Sequence, residues 1–206
     1  SFCFLDSNSS GGDFDYLCAF SLKSELNYSK CLFKSLKKFA IDNSNDWIFG
    51  YFSYDVKNDI EILESNNLDY LKFPKSHFFI PQIVCLVKGN LLTVFSDPKH
   101  TNIQIKQLVN KIKLTPIIKC DAFNVKLKSR LSKKEYIDQI NIIKNDIQQG
   151  NIYEVNYCQE FFVDNISIDP FSLFQKLNNL SKSPFAAFYK VHDNFCICAS
   201  PERFLK

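Results

Sequence analysis

The 206-residue chain has no methionine, one tryptophan, three histidines and five glycines. Each scarcity excludes something. The histidines, His77, His100 and His192, are scattered, and the eight cysteines contain no CxxC pair. The spacings that hold structural zinc are therefore missing. Cys196 and Cys198 share a face of a strand-like run, but no second ligand pair stands near them in the sequence. The cysteines read as buried thiols of a reducing cytosol, not as a disulfide framework or a metal site. No apolar run approaches the roughly 20 residues of a membrane-spanning helix. The start, SFCFLDSNSSGG, lacks the positive charge and long apolar stretch of a secretory leader. A net charge of +3 with no Lys/Arg block gives nucleic acid no footing. There is no GxGxxG or P-loop, so nucleotide binding has no support. A cytoplasmic chain with neither membrane nor nucleic-acid partners is the expectation. With no initiating methionine, and with SPERFLK ending the chain directly after a strand-like run, the sequence reads as a fragment of a longer protein.

What is present is apolar and aromatic. Hydrophobic residues make up 46% of the chain, including 21 phenylalanines, enough to build a core for one large or two small domains. DWIFGYFSYD (46–55) has aromatics at alternate positions, as a strand does, and VKNDIEILES (56–65) suggests a short helix burying Val56, Ile60 and Leu63. HFFIPQIVCLVKGNLLTVFSD (77–97) predicts a β-hairpin around Gly89 and Asn90. Residues 101–114 have helical spacing at Ile105, Leu108, Val109 and Ile112. A proline-containing, basic stretch over 115–130 predicts a boundary, giving domains 1–120 and 121–206. Ser132 and Glu135 then match a capping box, and Tyr136, Ile140, Ile143 and Ile147 form one stripe before Gly150. A proline-led helix over 169–180 and a hairpin of 184–191 with 195–200 complete the pattern. Strands in hairpins, with no regular βαβ alternation, predict an α+β fold with antiparallel sheet.

GNIYEVNYCQEF (150–161) is the least ordinary stretch. Read as a strand, it places Ile152, Glu154, Asn156, Cys158 and Glu160 on one face and Tyr153, Val155, Tyr157, Gln159 and Phe161 on the other. The acidic face looks to water or to a ligand, and the aromatic face is expected to pack under a sheet.

GNIYEVNYCQEF, SPFAAFY (183–189) and ASPERFL (199–205) resemble, in order and spacing, the start of the chorismate-binding domain. That domain is shared by the anthranilate synthase and aminodeoxychorismate synthase component I enzymes and by isochorismate and salicylate synthases. The upstream GYFSYDVKNDIE resembles a segment shared by the anthranilate and aminodeoxychorismate enzymes, and the run from SYDVKN on to FFIP is most similar to the aminodeoxychorismate branch. The resemblance covers roughly 46–206, and three ordered motifs are far more specific than one. It implies antiparallel β-sheets packed face to face with outer helices, here incomplete. It implies a chorismate amination giving 4-amino-4-deoxychorismate, for 4-aminobenzoate and folate. Ammonia would come from a glutamine amidotransferase partner, and the fragment alone would be inactive. Anthranilate formation is the alternative, and a ligand-binding or partner-docking module without catalysis is a third reading. Mg²⁺ is implied as cofactor, with its glutamate ligands beyond Lys206.

The same resemblance assigns residues. Glu202 matches the general acid that protonates the departing 4-hydroxyl, a task that needs a carboxyl raised by burial or by a neighbouring acid. Glu154 occupies the position where isochorismate-forming relatives carry a water-activating lysine and the aminating enzymes usually carry glutamine. The absent lysine argues against water as nucleophile. Asn156 and Ser200 are substrate-binding positions by the same match. ILES (62–65) is similar to the LLES element with which anthranilate synthases bind tryptophan, but it follows Asp55 where that element precedes it, and it reads as a helix turn. Asp55 and Glu61 are read as structural.

Overall fold

The computed structural model describes residues 1–61, 63–116 and 125–205. The elements in chain order are β1 (Phe2–Asp6), β2 (Tyr16–Asn27), α1 (Leu32–Asp42), β3 (Phe49–Phe52), a 3-10 turn (Tyr54–Val56) running into α2 (Lys57–Ile60), β4 (Ser76–Lys88), β5 (Leu91–Ser96), α3 (Asn102–Leu114), β6 (Lys128–Ser129), α4 (Lys133–Gln148), β7 (Phe161–Phe162), α5 (Pro170–Ser181), β8 (Phe185–Val191) and β9 (Asn194–Ser200). The fold is α+β with antiparallel pairing throughout, as the hairpin pattern predicts. By compactness the chain forms two units, Ser1–Cys120 with Pro170–Lys206, and Asp121–Asp169. Residues after 170 return to the first unit because β8 pairs with β1.

The first unit is built on a seven-stranded sheet ordered β3-β4-β2-β1-β8-β9, with β5 also on β4. β4, SHFFIPQIVCLVK, is apolar on both faces and buried over most of its length, as a central strand should be. It nevertheless contains Pro81, which has no N–H to give to a neighbour. The adjacent β2 accommodates it with a bulge: Leu22 faces Pro81 and Ser24 faces Ile80, leaving Lys23 as the extra residue. The Leu22 carbonyl takes its hydrogen bond from Gln82 Nε2 at 2.7 Å instead. The displaced Lys23 points outward to Asp46 (3.0 Å) and Asp97 (3.7 Å).

Three clusters form the core of this unit. Cys3, Leu17, Ala19, Phe49, Phe79, Val84, Tyr189 and Val191 gather along the sheet. Leu32 and Leu36 of α1, one turn apart, bring that helix onto Phe78 and Val56. Phe174 of α5 packs on Ala186 and Phe188. Gly50 is required for this packing, since a Cβ there would lie 2.6 Å from the His77 carbonyl oxygen and 2.1 Å from the Phe78 ring. The hairpin expected over 77–97 is present, and Asp15 clasps its turn through Gly89 N–H (2.7 Å) and Lys88 (3.2 Å).

The short helix expected over 56–65 stops at Ile60, because Glu61 is already extended. Ile60 and Leu63 are exposed rather than buried, and Ile62 lies outside the described residues.

The second unit is smaller. α4 opens with the expected capping box: Ser132 Oγ accepts from Glu135 N–H and the Glu135 carboxylate accepts from Ser132 N–H. Hydrogen bonding to Ser132, its hydroxyl first and its backbone N–H second, holds the Glu135 carboxyl below its ordinary range. None of α4's residues is buried, although Ile140 and Ile143 of the expected stripe are half-covered. The strand expected over 150–161 is reduced to β7. Extended backbone becomes a strand only when a second strand takes its hydrogen bonds. Here pairing is limited to Lys128–Phe162, Ser129–Phe161 and an Arg130 N–H to Glu160 carbonyl bond of 3.0 Å. The aromatic face is not packed under a sheet: Tyr153 is 91% exposed and Phe161 61%.

Candidate functional site

In the first unit, the β8–β9 hairpin brings two of the three motifs together. Phe185 of SPF stands directly opposite Ser200 of SPE, and β1 continues the row by placing Asp6 opposite Ala186. A cavity of about 570 Å³ opens at this end, lined among others by Leu5, Asp6, Phe14, Pro184, Ser200 and Glu202. Most of the lining is apolar, with Asp6, Glu202 and Arg203 at intervals, which suits a small organic molecule carrying a few polar groups.

Glu202 is exposed, on the turn that follows β9. Ser200 shapes that turn, since its hydroxyl donates to the Glu202 carbonyl (2.8 Å) and accepts from the Glu202 N–H (3.3 Å). The hydroxyl offered as a substrate contact is thus already employed in holding the general-acid candidate.

Asp6 was not visible as a site residue in the sequence. It is buried, and its two carboxylate oxygens accept from Asn8 N–H (2.8 Å) and Asn178 Nδ2 (2.7 Å). Asn8 Nδ2 in turn donates to Asn178 Oδ1 and to the Ser183 carbonyl, both at 2.7 Å. The network ties β1 and α5 to the SPF motif and fixes an acid at the cavity wall. In the sequence FLDSN ends an apolar run with three polar residues and Ser183 opens SPFAAFY; Asn178, on α5, carries no such signal.

A second buried constellation lies in the same sheet. His77 is fully buried among FF and IP, with Nδ1 2.7 Å from the Tyr189 hydroxyl and Nε2 3.1 Å from Glu25. Burial holds the imidazole below its ordinary range, while the hydrogen bond from His77 is the chief cause that lowers Glu25. A neutral imidazole satisfies both: Nε2–H donates to the carboxylate, and Nδ1 accepts from Tyr189. Burial also pushes the Tyr189 hydroxyl up, so it stays a donor. Both ring nitrogens of the buried His77 have partners within the sheet, which fits a structural role for the trio.

The second unit carries the remaining candidates. Glu154 and Asn156 are both exposed on the extended run after α4. That run is launched by Gly150, whose φ of +79° favours glycine, and anchored at its far end. Gln159 Nε2 donates to the Leu131 carbonyl at 3.1 Å. Arg130 grips Glu160 with two nitrogens at 2.8 and 3.3 Å, and its guanidinium lies 3.5 Å from the Phe162 ring centroid. The structure therefore joins Ser200 with Glu202, and Glu154 with Asn156, each pair within its own unit. Among the described residues no group of three or more His, Cys, Asp or Glu side chains is placed to hold a metal ion. No helix among them is long and apolar enough to cross a membrane.

Comparison with known proteins agrees with the motifs. The profile of a family described as chorismate binding enzyme matches residues 15–206. Anthranilate synthase component 1 of Buchnera aphidicola subsp. Rhopalosiphum padi is 31% identical over 169 residues, 76% of this chain and 32% of that protein. Aminodeoxychorismate synthase component 1 of Salmonella typhimurium is 31% identical over 78 residues, 38% of this chain and 17% of that protein. The crystal structure of anthranilate synthase component I from Streptococcus pneumoniae superimposes with a TM-score of 0.77 at 15% identity, over 90% of this chain and 50% of that one. The chain thus spans about a third of the length of the curated relatives it matches.

Proposed function

Since the chain belongs to the chorismate binding enzymes, we propose that it is part of a component I that aminates chorismate to 4-amino-4-deoxychorismate, a step toward 4-aminobenzoate and folate. The observation that carries this reading is the family match over 15–206, with the SPF and SPE motifs facing each other beside one cavity. The product is drawn from the likeness of the 46–81 run to the aminodeoxychorismate branch.

Replacing the 4-hydroxyl of chorismate by an amino group consumes ammonia and releases water. Hydroxide is a poor leaving group, so a proton must reach that oxygen as its bond to carbon breaks. Glu202 is the donor in this proposal, and Ser200 sets its turn. Substrate and the surface that covers the cavity would provide the desolvation an acid at neutral pH requires. Glu154 takes the nucleophile position, where a carboxylate accepts hydrogen bonds from ammonia; it is not the lysine that would activate water. Asn156 contacts substrate from the same run. A glutamine amidotransferase partner supplies the ammonia, and Mg²⁺ would neutralise the substrate carboxylates.

A second reading, anthranilate formation, is favoured by the longer span of the anthranilate synthase match, 169 residues against 78. Complementation separates them. The complete gene product carrying this chain is expected to rescue a 4-aminobenzoate-requiring strain and not a tryptophan-requiring one. The opposite pattern assigns anthranilate. Rescue of neither, with the protein expressed and folded, removes the amination reading in favour of a binding module. The 206-residue chain alone is expected to give no product from chorismate, ammonium and Mg²⁺.

A further inference from the structure

Seven of the eight cysteines lie among the described residues, all as free thiols. Their placement in the sheet is not equivalent. Cys18 of β2 and Cys85 of β4 are direct cross-strand partners. Directly opposed residues of an antiparallel pair project from the same face, with Cα atoms about 4.5 or 5.5 Å apart depending on the pair type. Both values lie within the ~4.4–6.8 Å that a disulfide spans.

No other described cysteine has a thiol opposite it. Cys3 faces Ala19 on one side and Tyr189 on the other. It therefore lies on the face of the sheet away from Cys18, which is opposite Phe4. Cys196 and Cys198 face Tyr189 and Ala187. They stand two apart along one strand, which sets them about 6.6 Å from each other with parallel side chains, at the limit of bridging. Cys31 and Cys158 are exposed and off the sheet.

We infer that Cys18 and Cys85 form an oxidisable pair, a modification site at which a small peroxide closes a disulfide across the β2–β4 seam. The two thiols have distinct roles. Cys18 is partly exposed and admits the oxidant, whereas Cys85 is 8% exposed and resolves. The Cys18 thiolate attacks one oxygen of hydrogen peroxide, the O–O bond breaks, and the sulfur becomes a sulfenic acid as the first water leaves. The Cys85 sulfur then attacks the Cys18 sulfur, the S–O bond breaks, and the second water leaves. Two thiols are oxidised by two electrons, and one peroxide is reduced to two waters.

Burial, and the neighbouring Cys85, push the Cys18 thiol up to about 12. Reaction at neutral pH is therefore slow, and it should quicken about tenfold per pH unit while the thiolate remains the minor form. The bridge would join the strands with the most extensive ladder in the sheet, from Tyr16–Val87 to Asn27–His77.

The test begins with the unaltered chain. The full chain is treated with hydrogen peroxide at pH 7, 8 and 9, then unfolded, alkylated, digested and mapped by mass spectrometry. A linked peptide pair carrying Cys18 and Cys85, lighter by two hydrogen atoms, is expected at every pH. Dithiothreitol should reverse it, and the oxidised chain should melt at a higher temperature. Cys18→Ala should abolish the link, and Cys31→Ala should leave it. Oxidation of Cys31 and Cys158 with Cys18 and Cys85 still fully alkylated would overturn the inference. So would a bridge from Cys18 to any other cysteine, or an oxidised form that melts lower.

Discussion

The two compact units hold the same residue types in opposite ways. In the first, apolar side chains disappear into a sheet: Phe79, Ile80 and Val191 are 0% exposed. In the second, a sixteen-residue helix with an isoleucine-rich stripe has no fully buried residue, and Tyr136, Ile140 and Ile143 are only half-covered. Apolar periodicity is thus necessary for a core but does not create one. A second surface must be present to receive it.

Substitutions should divide along that line. Phe79→Ala is expected to cost about 3–5 kcal/mol in chemical denaturation, while Ile142→Ala in α4, 53% exposed, should stay within about 0.5 kcal/mol. Equal losses at the two sites would erase the distinction. Gly50→Ala comes next, at about 1–3 kcal/mol, because the new methyl meets the His77 carbonyl and the Phe78 ring. Its counterpart Gly150→Ala has open space around it and only the strain of φ +79°, about 1 kcal/mol. A thermal melt in which Gly150→Ala is the more damaging change would contradict this packing.

Acid should reach the units at different pH. His77 is held below its ordinary value of 6.5 in the fold, so below that value the unfolded chain binds a proton that the folded chain does not. Stability of the first unit should therefore fall as pH drops below about 6.5, at up to about 1.4 kcal/mol per pH unit. Glu25, lowered in the fold, adds to the loss further down, below its ordinary 4.5. In the second unit Glu135 is also lowered, and its contribution is lost only as pH falls below about 4.5. Hydrogen exchange of β4 and α4 amides between pH 7 and 5 reads the contrast, with protection falling in β4 first. The smallest expected effect is Ser132→Ala, about 1 kcal/mol, seen as faster exchange confined to the first turn of α4.

Local signals survived translation into structure and non-local ones did not. The 77–97 hairpin, the 184–200 hairpin, α3 and the Ser132–Glu135 box each depend on residues within a few positions of one another, and all are present. The bulge that spares Pro81 depends on β2, whose strand character the sequence analysis did not assign. GNIYEVNYCQEF has the composition of a strand, but composition does not say which strand will pair with it. The site divides the same way. Ser200 beside Glu202 is a two-residue relation readable from SPE, whereas Asp6 meets Asn178, and Asn8 the Ser183 carbonyl, only because β1 lies along β8.

That last pairing sets a timetable. Phe2 lies against Lys190 and Asp6 against Ala186, so β1 pairs with a strand made some 180 residues later. At ~5–20 residues per second, β1 waits on the order of ten to forty seconds for β8 to emerge. β2 and β4 are complete long before then and can zip together with β1 on their flank. Throughout that interval the outer edge of β1 presents unpaired backbone to solvent and to other nascent chains. On the ribosome the sheet of the first unit cannot be completed before β8 is made, and slowing elongation after β4 should lengthen the period in which the half-built sheet is open to aggregation.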